Sequence, residues 1–171
     1  AWVVAARQIK QIDSNISVVA WLDSVRIYTA NKTLNPDLTR DCATGHFRHG
    51  VLAETMAPSI LLHNVSNTPA LDPWTHCHIY DFAKPIARAF WTEMCLNLTR
   101  SAVIDGCGAD ASWQYDPTGG ATSAATRRDW DIGHRQMMRD TTLALGHGLL
   151  LGKQAWELFS HVNGALHEGA A

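Results

Sequence analysis

The stretch His78-Ile-Tyr-Asp-Phe-Ala-Lys-Pro-Ile-Ala-Arg-Ala-Phe-Trp-Thr-Glu-Met-Cys-Leu-Asn-Leu-Thr-Arg-Ser-Ala-Val-Ile-Asp-Gly-Cys-Gly-Ala-Asp110 decides the fold class. His78 to Phe82 reads as a short strand. Lys84-Pro85 follows it, and proline is favoured in the first turn of a helix because its missing N–H would be unpaired there anyway. Ile86, Ala89, Phe90, Glu93, Met94 and Asn97 then fall at helical spacing. Ser101 to Asp105 reads as a second, compact apolar strand stopped by Gly106. The unit is strand, helix, strand.

The same alternation extends outward. Ala1 to Ile12 reads as an amphipathic helix, with Trp2, Ala5, Ala6 and Ile9 on one face. Ile16 to Tyr28 begins as a continuous apolar run, the pattern of a strand buried on both faces, and Asp23 stands where the run ends. Thr29 to Pro58 is irregular, with a short helix expected near Leu52 to Met56, and Ser59 to His63 reads as a strand or hairpin arm. Cys107 to Thr126 is expected to be a polar loop, Arg127 to Leu145 the strongest helix, Leu149 to Leu151 a strand, and Lys153 to His161 the start of another helix. Buried strands alternating with helices imply a parallel sheet with right-handed crossovers. No GxGxxG or GxxxxGK[ST] follows any strand, which disfavours the nucleotide-binding forms of that sheet. The other solution is a (β/α)8 TIM barrel, typically about 250 residues. A chain of 171 residues is then expected to be a single incomplete barrel domain spanning 1–171, roughly the first half to two thirds of a barrel.

Composition narrows the function. With 46% hydrophobic and 18% charged residues the chain is core-forming, which excludes a disordered class. A net charge of −2 with no basic run leaves no footprint for nucleic acid. The longest apolar stretches are broken by Gly and His, so no membrane span is expected, and no cofactor motif is present. Cys42, Cys77, Cys95 and Cys107 contain no CxxC pair, and an even count fits two disulfides in any of three connectivities. Asn15-Ile-Ser, Asn31-Lys-Thr, Asn64-Val-Ser and Asn97-Leu-Thr are N-glycosylation acceptors, which points to a secretory route.

In parallel α/β folds the reacting groups sit at the carboxyl ends of strands. On the reading above, those ends carry Asp23, Asp81 and Asp105, with Asp110 following across Gly106 and Gly108. Converging carboxylates suit glycoside hydrolysis, in which one acid protonates the leaving oxygen and another attacks or activates water. Trp21, Tyr28, Trp74 and Trp113 lie near the same ends, where aromatic faces can stack on sugar rings. Any one such aspartate taken alone is as well explained as a helix cap, Asp81 above all. A rival reading takes His76 and His78, on one face of a strand, as ligands of a metal-dependent hydrolase, joined by His46, His49, His134, His147 or Asp105. His134 is otherwise expected to point at solvent or at the top of the barrel.

Two segments carry a family resemblance. Ile79 to Trp91, followed by Asn97 to Asp110, resembles the hypothetical glycosyl hydrolase type of TIM barrel, which has the form "fDfs.p.vr.ww … n.t.sgv.DG.f.D". Ala20 to Tyr28 is similar to that family's "yfNs…dfpfY" strand. Gly133-His134-x-x-Met137-Met138 and Leu149 to Gly152 resemble its next helix and strand. Two positions depart from the pattern: Gly108 stands in place of an aromatic, and Asp23 in place of Asn. The resemblance implies a secreted, glycan-processing barrel acting on O-glycosidic bonds. Asp105 or Asp110 would serve as nucleophile or base, Asp23 and Asp81 would hold sugar hydroxyls, and the proton donor would come from outside this chain or, as the lesser alternative, from within it. The alternative within the same fold is a carbohydrate-binding barrel without chemistry.

Overall fold

The computed structural model describes residues 2–27, 59–73, 77–110, 116–153 and 160–166. Its main element is a four-stranded parallel sheet in the order β1-β4-β5-β6, formed by Val19–Asp23, Gly106–Asp110, Leu149–Lys153 and Gly164–Leu166. A separate antiparallel ribbon pairs β2 (Arg26–Ile27) with β3 (His78–Ile79). The helices are α1 (Trp2–Ile12), α2 (Pro85–Thr99) and α3 (Ala124–Leu145). The molecule is an α/β protein with parallel strands.

Period-two patterning sorts the sheet into two faces. Leu22, Cys107, Ala109 and Leu150 are buried in one apolar cluster with Phe90 and Trp91 of α2 and Trp130, Met137 and Met138 of α3. Ala20 packs with Ala6 of α1 and Ile104. On the opposite face Val19, Trp21, Leu149 and Leu151 are only half-buried. Two of the helices begin with a recognisable start signal. Pro85 opens α2, and the Ser123 hydroxyl accepts from the Thr126 N–H at 3.1 Å to cap α3. The Cys95–Cys107 disulfide ties α2 to β4, and Cys77 is disulfide-bonded as well.

Three expected elements are corrected. The strand expected at Ser101 to Asp105 lies one step later, at Gly106–Asp110, inside the stretch expected to be a loop. Apolar content misled that reading, because close packing here selects small residues. A side chain at Gly106 would strike the Leu149 backbone of β5, and one at Gly108 would strike the Trp21 indole. The strand expected at His78 to Phe82 is part of the antiparallel ribbon rather than the parallel sheet. Lys153, taken as the start of a helix, closes β5, and Gly164–Leu166 forms a strand that no periodicity announced. The short helix expected near Leu52 to Met56 lies outside the described residues.

Candidate active site at the carboxyl ends of the parallel strands

β1 and β4 end side by side. Their register pairs Asp23 with Asp110, and β5 ends one strand further along at Lys153. The two aspartates have different surroundings. Asp23 folds back on its own turn, where its Oδ1 accepts the N–H groups of Val25 at 2.8 Å and Arg26 at 2.6 Å. That local bonding is what an aspartate offers at a strand-to-turn junction. Its Oδ2 meets Arg26 Nη1 at 3.2 Å, and Arg26 Nε reaches Asp72 Oδ2, also at 3.2 Å. This triad is buried. Burial raises the Asp23 pKa above the ordinary carboxylate value, against the Arg26 charge and the two N–H groups, and the neighbouring Asp110 adds to the rise. Burial and the nearby Asp23 charge also push the Tyr80 phenol upward.

Asp110 is held by its main chain, which leaves the carboxylate at the rim. Its carbonyl oxygen accepts from the Ser24 N–H at 2.9 Å and from the Ser24 hydroxyl at 2.6 Å. Its carboxylate meets Lys153 Nζ at 3.1 Å and stays 29% exposed. Asp110 thus places a partly exposed, lysine-paired carboxylate at the strand-end rim. Two tryptophans from the helices brace the same edge: Trp91 Nε1 donates to the Asp23 carbonyl at 2.9 Å, and Trp130 Nε1 to that of Tyr80 at 2.7 Å. The loop entering α3 is organised by Asp116, whose carboxylate takes the Thr118 hydroxyl and N–H, the Gly120 N–H and Arg127 Nη1. Partial burial works to raise the Asp116 pKa, but these bonds hold it below the ordinary value.

The other expected site residues lie elsewhere. Asp105 is at the opposite end of β4 from Asp110, before the strand begins. Its carboxylate meets Lys10 Nζ at 2.8 Å and the Val18 N–H at 2.7 Å. Desolvation works to raise the Asp105 pKa, but the Lys10 and Val18 bonds and the Lys10 charge keep it low. Asp81 pairs with Lys84 at 3.0 Å, and Lys84 rather than Asp81 stands at the N-cap of α2. Trp21 lies half-buried over Gly108, one layer below the rim. Tyr28, Trp74 and Trp113 are outside the described residues, as are Asn31, His46, His49 and His76. His78 is buried, and burial lowers its pKa. Among the described residues no group of three His, Cys, Asp or Glu is placed to hold a metal ion. Asn15 and Asn97 are exposed, and Asn64 Oδ1 closes a turn by accepting from Ser66 and Thr68.

The sequence reading passed over Ser24, Arg26, Asp72 and Lys153. Lys153 was within reach of the strand-end rule, had Leu149 to Leu151 been extended by two residues. Nothing in the local sequence marks Asp72 as the partner of Arg26. His134, expected to point at solvent or at the top of the barrel, is 2% exposed, stacked against Trp130, with Nε2 3.3 Å from the Ser24 hydroxyl.

With this geometry in view, comparison with known proteins places the chain. The profile of hypothetical glycosyl hydrolase family 15 matches residues 10–171. The chain belongs to that family. No curated protein matches it by sequence. Its fold is similar to the glycoside hydrolase domain of PelA from Pseudomonas aeruginosa, with TM-score 0.65 and 9% identity over 99% of this chain and 56% of that one. It is also similar to the alpha-galactosidase from Thermus thermophilus, with TM-score 0.62 and 13% identity over 96% and 29% of the two chains. The cycloalternan-degrading enzyme from Trueperella pyogenes gives TM-score 0.58 and 15% identity over 98% and 22%. The family member described here therefore spans little more than half of the PelA domain and less of the others. The folds it matches are those of glycoside hydrolases.

Proposed function

We propose that this chain is part of a (β/α)8 barrel that hydrolyses O-glycosidic bonds, with Asp110 as nucleophile or base. The observation that carries the reading is the placement of Asp110 at the carboxyl end of a parallel strand. There it is anchored through its main chain by Ser24, and its carboxylate faces Lys153 at the rim. Partial coverage of the glycoside hydrolase neighbours and the half-buried sheet face of Val19, Trp21, Leu149 and Leu151 support the barrel. Further strands would cover that face.

In this reading Asp110 attacks the anomeric carbon or activates water, and a carboxyl group from another strand end protonates the leaving oxygen. The Lys153 ammonium aims the carboxylate. Asp23 shapes the rim through its turn, since its carboxyl is fully engaged inside. Asp105, expected as an alternative nucleophile, is assigned to the amino-terminal end of the sheet, where barrels keep residues for stability. Trp21, with Tyr28 and Trp113, is kept as a candidate sugar-stacking group. The Cys95–Cys107 disulfide and the sequons at Asn15, Asn31, Asn64 and Asn97 favour a secretory route with glycosylation.

The second reading, a carbohydrate-binding barrel without turnover, draws on Gly108, which stands where the resembled pattern has an aromatic. One experiment separates the two: release of 4-nitrophenol from a panel of 4-nitrophenyl glycosides by the wild type and by Asp110→Asn. Turnover that falls by about 10²- to 10⁴-fold in the variant, with sugar binding kept, supports the enzyme. Sugar binding with no turnover in either protein supports the binder.

A further inference from the structure

His134 is a buried histidine that the proposed chemistry leaves unused. It reaches the rim because Gly133, the preceding residue of α3, lets the helix approach the Phe82 backbone more closely than any side chain would allow. The imidazole stacks on the Trp130 ring, with centroids 5.0 Å apart and planes 16° apart, and sits 5.4 Å from the Phe82 ring. Its Nε2 lies 3.3 Å from the Ser24 hydroxyl oxygen. That hydroxyl is 2.6 Å from the Asp110 carbonyl oxygen.

A count of protons fixes the direction of the chain. A carbonyl oxygen only accepts, so the single Ser24 hydroxyl proton lies on the contact to Asp110. Ser24 then has only lone pairs left for His134, and Nε2 must carry the hydrogen. Burial lowers the His134 pKa to about 4, so one ring proton is present at neutral pH. Asp131 and Arg135 on the same helix act on it in opposite directions.

We infer that His134 is a positioning residue: as the Nε2–H tautomer it donates to Ser24, which donates to the main chain of Asp110, so that α3 sets the place of the rim carboxylate. The inference rests on the reading of Asp110 as the reacting group. Donors linked in series polarise one another, and a carboxylate displaced by about 1 Å can lose on the order of a hundredfold in rate.

The test begins with the wild-type protein. Long-range ¹H–¹⁵N NMR of the His134 ring at neutral pH is expected to show the Nε2–H tautomer, and the Nδ1–H tautomer overturns the inference. The Asp110 carbonyl ¹³C resonance is then followed in Ser24→Ala, His134→Phe and His134→Gln. Loss of the chain shifts it in the first two, while the amide N–H of Gln restores it. An unmoved resonance in His134→Phe overturns the inference. On 4-nitrophenyl glycosides, His134→Phe is expected to lower kcat by about ten- to a hundredfold with KM unchanged, and Gln to recover most of the loss. Unaltered kcat in His134→Phe beside an inactive Asp110→Asn removes the positioning role alone. Full turnover in Asp110→Asn instead removes the assignment of Asp110, and leaves the tautomer result as it stands.

Discussion

The two ends of β4 carry the same residue type in opposite circumstances. At the amino end, Asp105 closes a clamp: its carboxylate ties Lys10 of α1 and the Val18 main chain to the strand that follows it. At the carboxyl end, Asp110 is tied through its carbonyl, and its carboxylate faces Lys153 at the rim. Both carboxylates are lysine-paired and partly exposed, 33% for Asp105 and 29% for Asp110. The difference is that the Asp105 carboxylate also takes a main-chain N–H, whereas Asp110 is anchored to Ser24 through its carbonyl oxygen. Beside Asp110, Asp23 shows a third arrangement, a fully buried carboxyl that holds Arg26 and its own turn. The presence of an aspartate near a strand end therefore says little until it is known which of its atoms the fold has claimed.

The largest expected effect lies beneath the rim. Arg26→Met leaves Asp23 and Asp72 buried without their shared cation, and should cost about 3–5 kcal/mol of stability. Urea unfolding measures it, and a loss below that of Asp105→Ala would show that this triad is not what stabilises the rim.

Next comes acid sensitivity. The His134 pKa is lowered from 6.5 to about 4 in the folded protein, so the unfolded chain takes up a proton first as pH falls. Its contribution to stability is fully present above about pH 6.5 and is lost progressively toward pH 4, amounting to about 3 kcal/mol. Unfolding of His134→Phe across that range should show a correspondingly shallower acid slope than the wild type. Equal slopes would place the acid sensitivity of the rim on other groups.

Asp105→Ala strands the Val18 N–H and frees Lys10, at an expected cost of about 1–3 kcal/mol. Glycoside turnover, where the wild type has it, should remain. A variant that lost turnover while keeping its fold would reverse the contrast between the two ends. Smallest is Lys10→Met, which removes a partly exposed ion pair and should cost less than about 1 kcal/mol in thermal or chemical unfolding.

The legible parts of this molecule were those with strong periodicity or punctuation. Pro85 announced α2, the amphipathic pattern announced α1, Arg127 to Leu145 was legible as a helix, and the apolar run ending at Asp23 announced β1. The central strand was misplaced by one element because its residues, Gly106-Cys-Gly-Ala-Asp110, have low strand propensity. They are chosen for closeness to Leu149 and Trp21, contacts that come from distant parts of the chain. That displacement put Asp105 at the wrong end of the sheet. It also hid Lys153, because β5 was cut short at Leu151. The cover of His134 comes partly from Trp130, one turn earlier on α3, and partly from Phe82 in the turn before α2, a contact that no local pattern announces.

By itself the sequence determined the α/β alternation, the parallel character of the sheet, the family, and the small set of aspartates from which a reacting group could be drawn. Those properties are written in local patterns of period, cap and motif. Only the tertiary structure decided which aspartate stands at the carboxyl end of β4 and which at the opposite end. That choice depends on Ser24, Lys10, Lys153 and Arg26, whose partners are brought together by strand register and helix packing across long sequence separations.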